Sequence, residues 1–223
     1  IHKIIRGIMK NIFFITLMIS TLFFMQSCST EEESTATATT ASQTMTDSTG
    51  ASVSLDGTYL QACAASGSAY VKLEIVLSGT TNTFTQDSFS DDTCATATTS
   101  RTWVNTFTVG SATTTSGSDN SSKNDVAVTK IELKLQSIGF TILDDTMVTQ
   151  WNDASVYGFT DWANGTAKSI LGLNGDGTTD STSSVGVASY DILYINGTSL
   201  QSGGGDVDTS STYPTELDYS SVY

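Results

Sequence analysis

Apolar and polar side chains alternate with a period of two along much of the chain after residue 53. Tyr70 to Leu77 reads YVKLEIVL, which puts Val71, Leu73, Ile75 and Leu77 on one face and Lys72 and Glu74 on the other. That is the pattern of a half-buried strand. Thr102 to Val109, TWVNTFTV, groups Trp103, Asn105, Phe107 and Val109. Ala127 to Leu135, AVTKIELKL, sets Ile131, Leu133 and Leu135 against Lys130, Glu132 and Lys134. Tyr190 to Leu200, YDILYINGTSL, places Asn196-Gly197 between extended runs, which predicts a hairpin with a type I′ turn. Gly57 to Ala64 and Thr81 to Ser90 read as further strands, and frequent Gly, Asn and Asp mark the turns. One stretch breaks the rhythm. Asp144 to Asp153, DDTMVTQWND, has acids at a helix start and Met147 and Trp151 four apart, predicting one or two helical turns. Tyr157 to Gly177 reads as an irregular excursion before the final hairpin. Many antiparallel strands with short turns predict an all-β sandwich or closed barrel.

The N-terminal pattern differs. Ile12 to Met25 is a run of uncharged, largely apolar residues behind Lys3, Arg6 and Lys10. It is short for a spanning helix, which needs about 20 apolar residues, and fits a secretory signal whose reading frame is expected to start at Met9. MKNIFFITLMISTLFFMQSC resembles a bacterial lipoprotein signal with its lipobox, Ser27 preceding Cys28. The resemblance implies cleavage before Cys28 and acylation of its sulfur and amine, with the membrane as a partner through that anchor. An ordinary signal peptide with an incidental cysteine is the alternative. Ser29 to Ser52 is dominated by Ser and Thr and carries one large apolar side chain, Met45, so a disordered tether is expected. Glu31, Glu32 and Glu33 resemble the acidic export signals of surface lipoproteins in Bacteroidetes-type bacteria, so the domain is expected on the outer membrane, facing the periplasm or the cell surface. The expected organisation is a signal peptide over 1–27, a lipidated cysteine and tether over 28–52, and one domain over 53–223.

Charge and chemistry narrow the function. From Cys28 onward six Lys or Arg face 23 Asp or Glu, so the net charge is 6 − 23 = −17. Nucleic acid is not an expected partner, because phosphate contact needs a basic surface. The single histidine, His2, precedes the cleavage site. A Ser-His-Asp triad, a Cys-His pair and histidine-bound zinc are thereby excluded from the mature chain. No catalytic residue, cofactor or metal is assigned, and the protein is not expected to be an enzyme. Asn174-Gly175-Asp176-Gly177 resembles the middle of a calcium loop, but an EF-hand register puts Gly172 and Ser183 at its two ends, where acids are required. Asp176 and Asp180 are more simply turn residues. Cys63 and Cys94, an isolated pair in a domain expected to be exported, are expected to form a disulfide, with a pair of buried thiols as the alternative.

LDGTYLQACA opens the domain; DDTC, GFTDWANGTAKSI, YDILYINGTSL and YPTELDYSSVY follow in order. This succession resembles uncharacterised bacterial lipoproteins with a lipocalin-like barrel. The resemblance implies an antiparallel barrel of about eight to ten strands with the disulfide among its early strands. Departures from the pattern are specific. Gly57-Thr58-Tyr59 has Tyr where lipocalins have Trp, and Tyr213-Pro214-Thr215 stands where related lipoproteins tend to have Arg-Pro-Thr. No arginine lies beyond Arg101, so the usual arginine packing over the first-strand aromatic is in question. A barrel of this size either fills with side chains or holds one small ligand. Tyr59, Trp103, Phe107, Tyr190 and Tyr194 are candidates to line a site for a small apolar or amphipathic molecule, with simple core packing as the alternative for each. A carbohydrate- or protein-binding module is the second reading, with Trp151 and Trp162 offering flat faces to sugars. A structural envelope domain without ligand is the third. Exposed Trp151 and Trp162 on one face would favour sugar, and an open apolar cavity would favour a lipid-like ligand.

Overall fold

The computed structural model describes residues 42–47, 49–116, 125–204 and 209–223, apart from the side chains of 219–221. Cys28, the signal segment and the tether as far as residue 41 lie outside the described residues.

Among the described residues the strands are β1 (Thr44–Thr46), β2 (Ser52–Ser54), β3 (Gly57–Ser66), β4 (Ala69–Ser78), β5 (Thr81–Phe89), β6 (Ala97–Thr114), β7 (Ala127–Ile142), β8 (Ala167–Ser169), β9 (Ala188–Asn196), β10 (Ser199–Gly203) and β11 (Leu217–Val222). One helix of ten residues, α1 (Asp145–Ala154), follows β7. The main sheet is antiparallel and runs β11-β10-β9-β7-β6-β5-β4-β3. It curls into a half-barrel, an all-β barrel-like fold. The long strand β7 divides its free edge: residues 129–134 pair with β9 and residues 139–141 pair with β8.

Directly opposed residues of an antiparallel pair share a face, so the register defines the concave side. Tyr59, Ile75, Phe84, Trp103 and Ile138 form one cross-strand row. Leu73, Gln86, Arg101 and Phe140 form another. The register slips where Val104 and Asn105 oppose Ser137 and Leu135, making Gln136 an extra residue in β7. This bulge exchanges parity: Leu133 and Leu135 face inward before it, Ile138, Phe140 and Ile142 after it. A bulge also bends its strand and increases local twist, which helps the sheet to curl.

The helix is longer than the one or two turns expected. Asp144 caps it, its Oδ1 accepting from Met147 N at 2.7 Å, and Ser155 closes it in the left-handed region. Its Met147, Val148 and Trp151 pack on Phe140, Ile142, Trp162 and Ile170. The disulfide joins Cys63 of β3 to Cys94 in the turn before β6, with Cα atoms 5.8 Å apart. Asp91 shapes that turn by accepting from the N–H groups of Thr93, Ala95 and Thr96.

Two expectations change. Within the stretch expected to remain a tether as far as Ser52, β1 forms and pairs with β2: Met45 pairs with Val53, is 4 % exposed, and joins Leu55, Tyr59 and Phe107 in the main core. Its apolar side chain has a core to enter, which composition averaged over the segment obscures. In the final hairpin Asn196 pairs with Ser199 as the last strand residue. Gly197 alone has positive φ (64°), the requirement of a type II′ turn, so the glycine occupies the first central position.

Candidate functional site

The concave face holds a cavity of about 390 Å³. Its apolar wall comes from Ile75 and Leu77 on β4, Phe84 on β5, Trp103 on β6, Ile131 and Leu133 on β7, Leu193 on β9 and Leu200 on β10. Met45, Leu55, Tyr59, Phe107 and Ile195 belong to the same buried cluster as the lining residues Ile75, Leu77, Ile131, Leu193 and Leu200. Six polar side chains interrupt the apolar lining: Asn82, Asn105, Ser189, Asp191, Ser202 and Tyr223. Asn82 and Asn105 oppose each other across β5 and β6, and Asn105 Nδ2 donates to Asn82 Oδ1 at 3.1 Å.

Asp191 is the chemically distinctive member. Its Oδ1 accepts from its neighbour Ile192 N and from Gly203 N, each at 2.7 Å. Gly203 has to be glycine for this: a Cβ there would stand 2.7 Å from that oxygen and 2.5 Å from Pro214 Cγ. Burial raises the Asp191 carboxyl to about 6, and the two backbone N–H bonds oppose that rise without cancelling it. Tyr223 is pushed upward too, first by burial and then by the nearby carboxylates of Asp218 and Asp191. An acid that titrates near neutrality inside an apolar cavity can meet a ligand either as a hydrogen-bond donor or as an acceptor.

The structure separates the five aromatic candidates. Trp103 lines the cavity. Tyr59 and Phe107 belong to the packed core cluster and not to the lining, 9 % and 3 % exposed, and the Tyr59 hydroxyl donates to Leu55 O at 3.3 Å. Tyr190 and Tyr194 do not line the cavity. Asp191 and Leu193 do, and side chains alternate along a strand, so the tyrosines point to the convex side. There Tyr190 packs on Tyr213, ring centroids 5.0 Å apart, and Tyr194 joins Val128, Ile192 and Leu217. The segment before β11 folds over β9 and gives the tyrosines their own cover.

The two tryptophans of the sugar-binding reading are also placed. Trp162 is 3 % exposed, and its Nε1 donates to Val156 O at 3.2 Å. Trp151 is half-buried, stacks on Phe140 at 4.8 Å and meets Trp162 edge-on at 5.5 Å. Asn152 of α1 holds the Trp162 backbone from both sides, accepting from its N–H and donating to its carbonyl. These rings pack on one another: Trp162 is closed off, while Trp151 keeps a partly exposed surface. Asp176 and Asp180 accept from Thr178, Thr182 and Ser183 in local turns.

Asp191, Asn82, Asn105 and Ser202 were not singled out from the sequence. The signal available for Asp191 was a conflict: an aspartate inside YDILYI, a run otherwise strongly strand-forming. Such local disagreement concentrates at functional or strained positions. Comparison with protein-family models and with curated proteins finds no match for this chain.

Proposed function

We propose that the domain binds one small amphipathic molecule in the concave cavity, and that Cys28 tethers it to the bacterial outer membrane as a lipoprotein. The observation that carries the binding reading is the cavity itself: apolar walls with a few convergent polar groups, one of them a carboxyl of raised pKa. Small-molecule sites have this composition and volumes of about 300–1,000 Å³, and 390 Å³ lies at the lower end. The apolar body of the ligand would lie along Phe84, Trp103, Leu133 and Leu193, with a hydroxyl or amine turned toward Asp191 and Ser202. The lipobox-like sequence before Cys28 supports the anchoring. Packing of Trp151 and Trp162 against Phe140 favours the cavity ligand over a sugar platform.

The test is native mass spectrometry of the protein purified from membranes, followed by denaturation and solvent extraction of the same preparation. A stoichiometric small molecule released on unfolding, apart from acyl mass at Cys28, is the expected result. A domain that is empty and takes up no added fatty alcohol, sterol or alkylamine would refute the reading.

A further inference from the structure

A second pocket of about 360 Å³ lies farther along the concave face, on the side where β7 pairs with β8 and α1 packs. Arg101 stands in its wall. The guanidinium lies over the Trp103 ring, 4.5 Å from its centroid, and Trp103 in turn lines the cavity described above. Arg101 therefore sits across one indole from that cavity, in a different compartment.

Three observations set this arginine apart. It is the only arginine after Arg6, in a region where acids far outnumber bases. No acidic side chain lines its pocket, and none forms an ion pair with it among the described residues. Its Nε is buried with no hydrogen-bond partner, the one buried side-chain polar atom in that state among the described residues. Buried polar groups are nearly always satisfied, so an orphaned charged donor requires an explanation. Arg101 as a whole is half-buried, and Nε is the only atom of its guanidinium that is both buried and unpartnered. The surrounding chemistry is complementary to an anion. Gln86 lies directly opposite Arg101 on β5 and Phe140 directly opposite on β7. Gln86, Ser88 and Thr99 supply amide and hydroxyl groups, and Phe140, Met147 and Trp151 supply an apolar wall.

We infer that this pocket is an anion site: Arg101, seated over Trp103, takes the carboxylate or phosphate group of a small organic molecule whose apolar body rests on Phe140, Met147 and Trp151. The planar guanidinium fork suits such oxyanions geometrically. The site is separate from the cavity of the proposed function and does not depend on it.

The domain's single arginine makes the test direct. In the mature protein cleaved before Cys28 and labelled with ¹⁵N-arginine, one Nε–H resonance is expected, and Arg101→Gln identifies it by its loss. Titration with phenylacetate, hexanoate or phenyl phosphate should move the Arg101 resonance saturably. Phenylacetamide and hexanamide should not. The three acids distinguish an aromatic from an aliphatic body and a carboxylate from a phosphate. By calorimetry, Arg101→Gln should weaken binding by about tenfold or more, as expected for loss of a charge-assisted bond. Gln86→Glu keeps Arg101 but places a carboxylate opposite it, so it should abolish the anion-induced shift in a folded protein. An unmoved Arg101 resonance at millimolar anion, equal response to the neutral amides, or unchanged affinity in either variant would overturn the inference. Leu193→Trp, which fills the other cavity, should leave the Arg101 response intact. A lost cavity ligand with a persisting Arg101 shift would sink the proposed function alone, and the reverse pattern would sink this inference alone.

Discussion

Asp191→Asn should stabilise the protein at neutral pH, and the gain should appear only as pH rises. The Asp191 carboxyl titrates near 6 in the folded state, against about 3.9 in an unfolded chain. Below about pH 4 both states carry the proton, so the group imposes no pH-dependent cost. Between about pH 4 and 6 the unfolded chain has released its proton and the native state has kept it. Stability therefore falls with rising pH through that window and levels off above 6. A difference of about two pKa units corresponds to up to about 3 kcal/mol. The asparagine variant has no charge to desolvate, and its Oδ1 can still accept the Gly203 N–H. Urea denaturation of both proteins at intervals from pH 4 to 8 measures this, because the difference between them cancels the titration of the other acids. The expected curve rises from its acid baseline toward about 3 kcal/mol in favour of Asp191→Asn. A difference independent of pH would refute the assignment of a desolvated carboxyl of raised pKa to the cavity.

Gly203→Ala should cost about 1–3 kcal/mol by overpacking, since its Cβ would meet Pro214 and Asp191; thermal melts check the loss, and the Asp191 step should shift in the same pH series. Trp162→Ala should cost about 3–5 kcal/mol because its ring is buried against Phe140, Trp151 and Phe159, while ligand uptake by the separate concave cavity persists in the folded fraction; denaturant titration and the extraction assay read the two. Replacing both Cys63 and Cys94 by Ser should lower stability by about 3–4 kcal/mol in the chain-entropy model for a loop of this length, read from urea midpoints. Met45→Ala should cost about 2–5 kcal/mol because Met45 is buried in the main core; an unchanged midpoint would return residues 44–52 to the status of a tether.

The sequence determined what is local. Period-two alternation marked β4, the middle of β6 and the first half of β7, because a strand's two faces are separated residue by residue. Asp144 marked the helix start, since a carboxylate there can accept an orphaned N–H. Two cysteines in a chain expected to be exported implied their bond, which the structure has. Alternation assigns residues to faces but carries no label for the concave one, and that was decided only when the sheet curled. In β9 both faces are apolar enough to be buried, so nothing local distinguished Tyr190 and Tyr194 from Asp191 and Leu193. The choice depended on the segment carrying Tyr213 and Leu217, far along the chain, covering the tyrosines from outside. The same closure turned Asp191 inward, against Gly203 and beside Pro214. The bulge at Gln136 reversed the parity of β7, bringing Phe140 to the face that Arg101 shares. Long-range pairing decided these positions because desolvation acts on whatever surrounds a side chain in space, and sequence spacing records only its neighbours along the chain.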